Sequence, residues 1–206
     1  FFVMFCNSWV QVFAILARQL LTGLPAPWAC ARFSFPGRKI LFSLYMLLMI
    51  LPFQVTMVSS YTVLSAFGLL DSHLSIILPG IFAAFPVFLL TKFFEGIPES
   101  LLEAAKADGA GELKAFFYIG LPMGVPGIFS CVILNFLEYW NAIEAPMTFL
   151  KTKTRFPVSL YLSSITADNA GISFAASMVI MAPCVLLFVW GQSYLEKGIA
   201  ASGLKE

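Results

Sequence analysis

Long apolar runs alternate with short polar stretches along this chain. The apolar runs cover residues 1–21, 40–64, 74–94, 125 to about 149, and 172–190. A bilayer core of ~30 Å requires roughly 20 apolar residues in helical form, so each run predicts a membrane-crossing helix. Helix is the expected form because lipid offers backbone groups no hydrogen-bond partners. Pro52, Pro79, Pro86, Pro126, Pro146 and Pro183 fall within these runs, where a bundle tolerates them as kinks or helix starts. The pattern predicts an all-α, polytopic transmembrane helix bundle with five visible spans and the lipid bilayer as its solvent.

Composition agrees. Sixty per cent of residues are hydrophobic and 11% are charged, with a mean hydropathy of +0.90. Soluble domains carry about 25% charged residues. A net charge of +1 speaks against a nucleic-acid partner, which needs clustered Lys and Arg. Cys6, Cys30, Cys131 and Cys184 are scattered without CxxC spacing, as apolar fillers would be. His73, the single histidine, makes no metal site alone. No P-loop pattern occurs, so no cofactor is expected on this chain. It begins at Phe1 without a basic leader, and reads as a fragment whose beginning is missing.

Basic residues set the orientation. Arg18, Arg32, Arg38, Lys39, Lys92, Lys106, Lys114, Lys197 and Lys205 fall on one side of the five spans. Only Lys151, Lys153 and Arg155 fall on the other, a split of 9 against 3. The richer side is expected to be cytoplasmic, with the C-terminus there and Phe1 extracytoplasmic. The loop around Arg32 and the loop around Glu103 are then cytoplasmic. Trp9, Trp140 and Trp190 near span ends suit either interfacial positions or buried packing.

The cytoplasmic segment of about residues 95–122 is the most informative part. Residues 97–107 favour helix: Pro98 stands near the start, Glu99 and Glu103 come early, and alanines follow. Gly109 and Gly111 supply a break, and residues 112–119 can form a second short helix. Leu102, Ala105, Gly109, Leu113 and Phe116 recur at spacings of three or four, predicting one apolar stripe. The small residues let another surface approach the backbone closely. Local composition fits equally well an amphipathic linker lying against its own bundle.

The longer pattern separates these. Glu103-Ala104-Ala105, then Gly109, then Ile119, Leu121 and Pro122 resemble the signature of permease subunits of ATP-binding-cassette importers: Glu-Ala-Ala, three residues, Gly, nine residues, Ile-x-Leu-Pro. Further segments resemble the carbohydrate-uptake branch, similar to the smaller maltose-type subunit. These are Asn7-Ser8, Ala31-Arg32-Phe33, Phe35-Pro36-Gly37-Arg38, Leu51-Pro52, Gly68-Leu69, Ile97-Pro98, Trp140-Asn141 and the tail Gly203-Leu204-Lys205. The resemblance spans residues 1–206 and implies a type I importer permease fold, multi-pass in the cytoplasmic membrane, with the first of six spans missing. It implies a docking loop gripped by ATPase subunits that bind the ATP, a second and related permease subunit, and an extracytoplasmic solute-binding protein. Glu103 would pair with a basic group of the ATPase, Ala104 and Ala105 would permit close approach, and Gly109 would form the turn. No covalent chemistry is then required of this chain.

Polar groups inside lipid are costly and mark candidate functional positions. Asn135, Glu138 and Asn141 fall three apart, an arc of about 120° at ~100° per residue, with Tyr139 and Trp140 beside them. This face could line a solute path, hydrogen-bonding sugar hydroxyls and stacking on sugar rings; contact with neighbouring helices or a partner subunit fits it too. Gln54 and Ser59-Ser60-Tyr61 are weaker candidates. The polar loop 151–171, with Lys151, Lys153 and Arg155, faces the side that would receive a binding protein, or is simply solvated. The solute expected is a sugar or oligosaccharide, with a polyol, glycerophosphodiester or peptide as alternatives. An intramembrane enzyme would need a nucleophile with a base, or paired carboxylates, and no such motif is present.

Overall fold

The computed structural model describes residues 1–162 and 170–203, giving the backbone alone for 162, 170 and 197–203. Residues 163–169 of the predicted extracytoplasmic loop, and Leu204 and Lys205 of the tail, lie outside the described residues. The described chain is helical, with no strand: α1 (Phe2–Gly23), α2 (Pro25–Arg32), α3 (Arg38–Ile50), α4 (Phe53–Ala66), α5 (Leu74–Ile81), α6 (Ala84–Glu95), α7 (Glu99–Ala107), α8 (Glu112–Ala115), α9 (Leu121–Trp140), α10 (Glu144–Phe149), α11 (Ser159–Leu162) and α12 (Ala170–Gly203). A π turn, Phe116–Gly120, joins α8 to α9.

Among the described residues, four stretches are long and apolar enough to cross a bilayer: Phe2–Arg32, Leu74–Glu95, Glu112–Trp140 and Gly171–Glu196. The expected span over 40–64 differs. It is broken at Leu51 and Pro52 into α3 and α4, and counts as a fifth span only as a bent pair. Pro52 has no N–H to continue α3 and holds an extended ψ of 149°, the geometry that ends one helix and caps the next. The span expected over 125–149 lies earlier, because α9 stops at Trp140. There the Asn141 amide donates to the Leu137 carbonyl at 2.8 Å, satisfying an end of the helix. The expected loop at Arg32 is helix α2, begun by a proline in its first turn, where a missing N–H costs nothing.

The described residues form two compact units. The first draws on residues 1–20, 50–83 and 134–190. Its core is Ile15, Leu64, Ile76, Phe149 and Leu150, with Phe53, Tyr61 and Leu69 packed around them. An aromatic group, Phe5, Trp9, Phe136 and Trp140, sits beside them in the same unit, with Trp9 and Trp140 centroids 5.0 Å apart. Trp140 is 1% exposed, so of its two expected placements the buried one holds. Polar side chains of α1 fasten the 151–158 segment. Asn7 donates to the Thr154 and Phe156 carbonyls at 2.8 and 3.0 Å, and Ser8 accepts the Val158 N–H at 2.8 Å. Gln19, buried on α1, donates to the Gly80 carbonyl at 2.6 Å and lies 3.2 Å from the Tyr139 hydroxyl. Gly80 stands just before the interruption between α5 and α6, where its carbonyl keeps a long bond from the Ala83 N–H at 3.4 Å.

The second unit draws on residues 21–49, 84–133 and the end of α12 from Gly191. Its centre is a row of glycines on α9 and the turn before it, each facing an aromatic ring. A Cβ at Gly120 would lie 2.6 Å from Trp28 Cζ3, one at Gly124 2.6 Å from Phe94 Cε1, and one at Gly127 2.3 Å from Phe93 Cγ. Spacings of four and three place the three glycines on one helical face. The rings occupy the volume that side chains would otherwise fill.

Candidate functional site

The segment from Glu99 to Pro122 holds the residues of the Glu-Ala-Ala signature. Pro98 precedes α7 with φ −57° and ψ 133°, and Glu99 stands in the first turn, where carboxylates favour the helix N-terminus. The helix ends in a Schellman turn: the Ala110 N–H donates to the Ala105 carbonyl at 2.9 Å, and the Gly109 N–H to that of Lys106 at 3.0 Å. Such a turn needs a left-handed residue, and Gly109 supplies it with φ +79°.

One face of α7 holds the segment to its own unit, through Leu102 at 8% exposure. Glu103, Ala104, Lys106, Ala107, Asp108 and Gly109 are exposed, and Ala105 is half-buried. The Glu103 carboxylate has no hydrogen-bond partner among the described residues. Lys106 pairs with Glu112 at 2.8 Å, tying α7 to α8. The Glu112 hydrogen bond and charge raise the Lys106 ammonium above the usual lysine range.

The expected apolar stripe is only partly formed. Leu102 and Phe116 are buried, yet Leu113 is 75% exposed and Ala115, outside the stripe, is 2% exposed. The break at Gly109 and Gly111 resets the helical phase, so spacings counted across it do not fall on one face. The second short helix is four residues of α helix that pass into the π turn. Within that turn the Leu121 N–H reaches the Phe116 carbonyl, five residues back. Pro122 follows without an N–H, and the wider turn accommodates its ring. Ile119 is half-buried and Leu121 likewise, at the start of the apolar helix.

Sequence reasoning missed the base of this segment. Arg32 donates through its guanidinium to the Phe94 carbonyl and, at 2.6 Å, to that of Ile97. Arg38 and Lys92 both meet Glu95, at 3.3 and 3.0 Å. The only visible signal was basic residues in the Ala31–Arg38 motif; their partners stand about sixty residues later.

The polar residues of α9 are divided. Asn135 is fully buried, and Trp140 is buried with its indole N–H on the Ile180 carbonyl at 3.1 Å. Glu138 and Asn141 are exposed. Gln54 donates to Glu144 at 2.6 Å. In the 151–155 loop, Asp71 accepts the N–H groups of Lys151 and Thr152, each at 2.9 Å, and the Thr152 hydroxyl at 2.6 Å. Arg155 pairs with Asp71 at 3.1 Å.

Comparison with known proteins places this geometry in context. The chain is 30% identical over 205 residues to the arabinooligosaccharides transport system permease protein AraQ of Halalkalibacterium halodurans, covering 98% of this chain and 73% of that protein. It is 33% identical over 191 residues to the diacetylchitobiose uptake system permease protein NgcG of Streptomyces coelicolor, covering 89% and 63%. The sn-glycerol-3-phosphate transport system permease protein UgpE of Yersinia pestis is 29% identical, covering 98% and 74%. Among solved structures, a chain of a bacterial ABC transporter involved in the import of the acidic polysaccharide alginate shares the fold. Its TM-score is 0.78 at 21% identity, over 94% of this chain and 75% of that one. A family of transport proteins matches residues 23–201. With its apolar helices and its spaced Glu-Ala-Ala segment, this chain belongs to that family, the binding-protein-dependent transport system inner membrane components.

Proposed function

We propose that this permease subunit moves a sugar or oligosaccharide inward across the cytoplasmic membrane, driven by a separate ATPase subunit that docks on the exposed face of α7. One observation carries the reading: Glu103, Ala104, Ala107 and Gly109 present a shallow, solvent-facing surface ended by a rigid turn. Residues with little side chain let a partner reach the backbone, and the free Glu103 carboxylate supplies a charge to set register. A short helix held rigidly can pass the closure of a partner to the spans as body motion.

The remaining parts follow. The ATPase binds the nucleotide, and this chain supplies no covalent chemistry. A second permease subunit completes the path, and a solute-binding protein delivers solute on the face of the 151–155 loop. The C-terminus is cytoplasmic. Glu138 on α9 and Asn141 just past its end are the exposed members of the candidate path and face the solute, while buried Asn135 and Trp140 fix that helix. Sugar is favoured because two of the relatives above are named for the transport of oligosaccharides. A glycerol-phosphate-type solute is the second reading, favoured by the third.

A single cysteine at Ala104, in a chain otherwise free of cysteine, tests the assignment. It is expected to be labelled only from the cytoplasmic side and to be shielded when the ATPase subunit is bound. Labelling of intact cells by an impermeant reagent would reject it. Uptake of labelled sugars against glycerol phosphate by the whole transporter decides the solute, and Glu138→Gln and Asn141→Ala should change apparent affinity for whichever is carried.

A further inference from the structure

The docking segment joins the membrane helices at two soft places. At its incoming end the chain passes from α6 to α7 through Gly96, Ile97 and Pro98, outside any helix and beginning with a glycine. At its outgoing end it passes through the π turn Phe116–Gly120, a less regular stretch than the α-helix around it. Displacement of α7 could be absorbed at either place before it reached a span.

Two residues of α2, one turn apart, lie across these places. Arg32 holds the incoming end, with its guanidinium on the carbonyls of Phe94 and Ile97. Phe94 is 0% and Ile97 5% exposed. These carbonyls lie at and beyond the C-terminus of α6, which has orphan acceptors and a partial negative charge. A guanidinium with two fixed donors suits them better than any neutral group. Trp28 holds the outgoing end. Its ring lies 5.5 Å from that of Phe116, 5.3 Å from that of Phe94, and against Gly120. The indole N–H has no hydrogen-bond partner among the described residues, so shape and stacking position the ring. Arg32 in turn lies over the Trp28 ring at 5.7 Å, making one assembly of the two grips.

We propose that Trp28 and Arg32 are positioning residues that clamp both ends of the docking segment to α2, so that movement of α7 is delivered into the apolar stretch Phe2–Arg32 as well as along the chain. The inference rests on the docking role of α7. It gives the Ala31-Arg32-Phe33 motif a mechanical part to play. Without Arg32 the ATPase still docks and turns over, but the permease no longer follows.

The test uses the complete transporter in proteoliposomes, with its ATPase, partner permease and binding protein. Arg32→Gln, Arg32→Lys and Glu103→Ala are compared with wild type for co-purified ATPase, basal hydrolysis, hydrolysis stimulated by loaded binding protein, and uptake. Arg32→Gln is expected to keep the ATPase and basal hydrolysis, while the stimulated-to-basal ratio and uptake fall about tenfold, within the usual range of coupling energies. Simple structural damage would lower the amount of complex and both hydrolysis rates together. Arg32→Lys, which keeps a charged donor but is shorter and loses the planar guanidinium over the Trp28 ring, should fall between. Where Arg32→Gln does not assemble, Arg32→Lys decides, and wild-type coupling per assembled complex in that variant overturns the clamp. If Glu103→Ala sheds the ATPase while the Arg32 variants couple normally, the clamp fails and the docking site stands. If Glu103→Ala binds and couples as wild type, the docking site fails and takes the clamp with it.

Discussion

A Cβ on Gly124 would stand 2.6 Å from Cε1 of Phe94, well inside van der Waals contact, so the phenyl ring already occupies the space that any other residue would claim. Gly124→Ala is therefore expected to destabilise the second unit by about 1–3 kcal/mol, the usual cost of overpacking. Gly111→Ala, where nothing lies within 4 Å of the added carbon, should be near neutral. Thermal unfolding in detergent checks both, and recovery in a Gly124→Ala, Phe94→Leu double variant would assign the cost to this contact.

Asp71 holds the 151–155 loop from a left-handed backbone, with φ +54°. The Thr152 hydroxyl, the N–H groups of Thr152 and Lys151, and then Arg155 hold its carboxyl well below the usual carboxylate range. A carboxyl depressed in the folded state stabilises at and above its unfolded pKa, and the contribution is lost as pH falls through the lower folded value. Asp71→Ala should lower the unfolding midpoint at neutral pH, and its difference from wild type should narrow only in strong acid, down to the pH-independent cost of Ala at a positive φ. Asp71→Asn keeps an acceptor and tolerates the positive φ, and should lie between.

His73 accepts from the Gln11 amide at 3.0 Å; because that nitrogen of Gln11 can only donate, the facing Nδ1 carries no proton. Burial, then the charge of Arg155, lowers the His73 pKa. A neutral histidine with a lowered folded pKa leaves stability whole above the ordinary histidine range and erodes it as pH falls through the folded value. Melting curves between neutral and mildly acid pH should show a slope that His73→Gln reduces; an unchanged slope would assign it elsewhere.

Gln19→Leu removes the closer of the two side chains at the Gly80 carbonyl, leaving the Tyr139 hydroxyl at 3.3 Å. The expected cost is about 1–3 kcal/mol for a buried acceptor left poorly satisfied. With Tyr139→Phe added, the two losses should not sum, because both groups serve one carbonyl. A double-mutant cycle on chemical unfolding measures this.

At Gly109 a side chain would meet nothing within 4 Å, so substitution acts on the backbone alone. Gly109→Val forces a branched residue into a left-handed turn, at about 1–2 kcal/mol. On the docking reading, stimulated ATP hydrolysis and uptake should fall much further than the unfolding midpoint does. Equal, small losses in all three would count against it.

Much of the membrane pattern was legible because bilayer thickness imposes one length on every crossing helix. Proline marked the places where a run departs from that length, though 40–64 gave no sign of how completely Pro52 divides it. The turn at Gly109 was readable because a left-handed residue leaves a glycine in the sequence. Contacts made by long side chains across the chain were not readable. Arg32 looked like a charge counted for orientation, and its value lies in two carbonyls near residue 95. The stripe drawn through Leu113 failed because helical spacing has no meaning across a turn that resets the phase. Asn135 and Trp140 fitted either a solute path or contact with neighbouring helices, and polarity alone could not tell these apart; the fold buries both.

The π turn at Phe116–Gly120 behaves as one residue more than an α-helix needs. Closing one turn over five residues instead of four lets the chain carry this extra residue without rotating α9 against α8. Deleting a single residue from α9 itself, between Leu121 and Gly124, has no such slack and would swing everything beyond it by about 100°. Gly124 and Gly127 would then no longer meet Phe94 and Phe93, and bulkier neighbours would be presented to those rings. A one-residue deletion in α9 should thus do more harm than many substitutions, whereas one inside the π turn is taken up as that turn closes to α-helix.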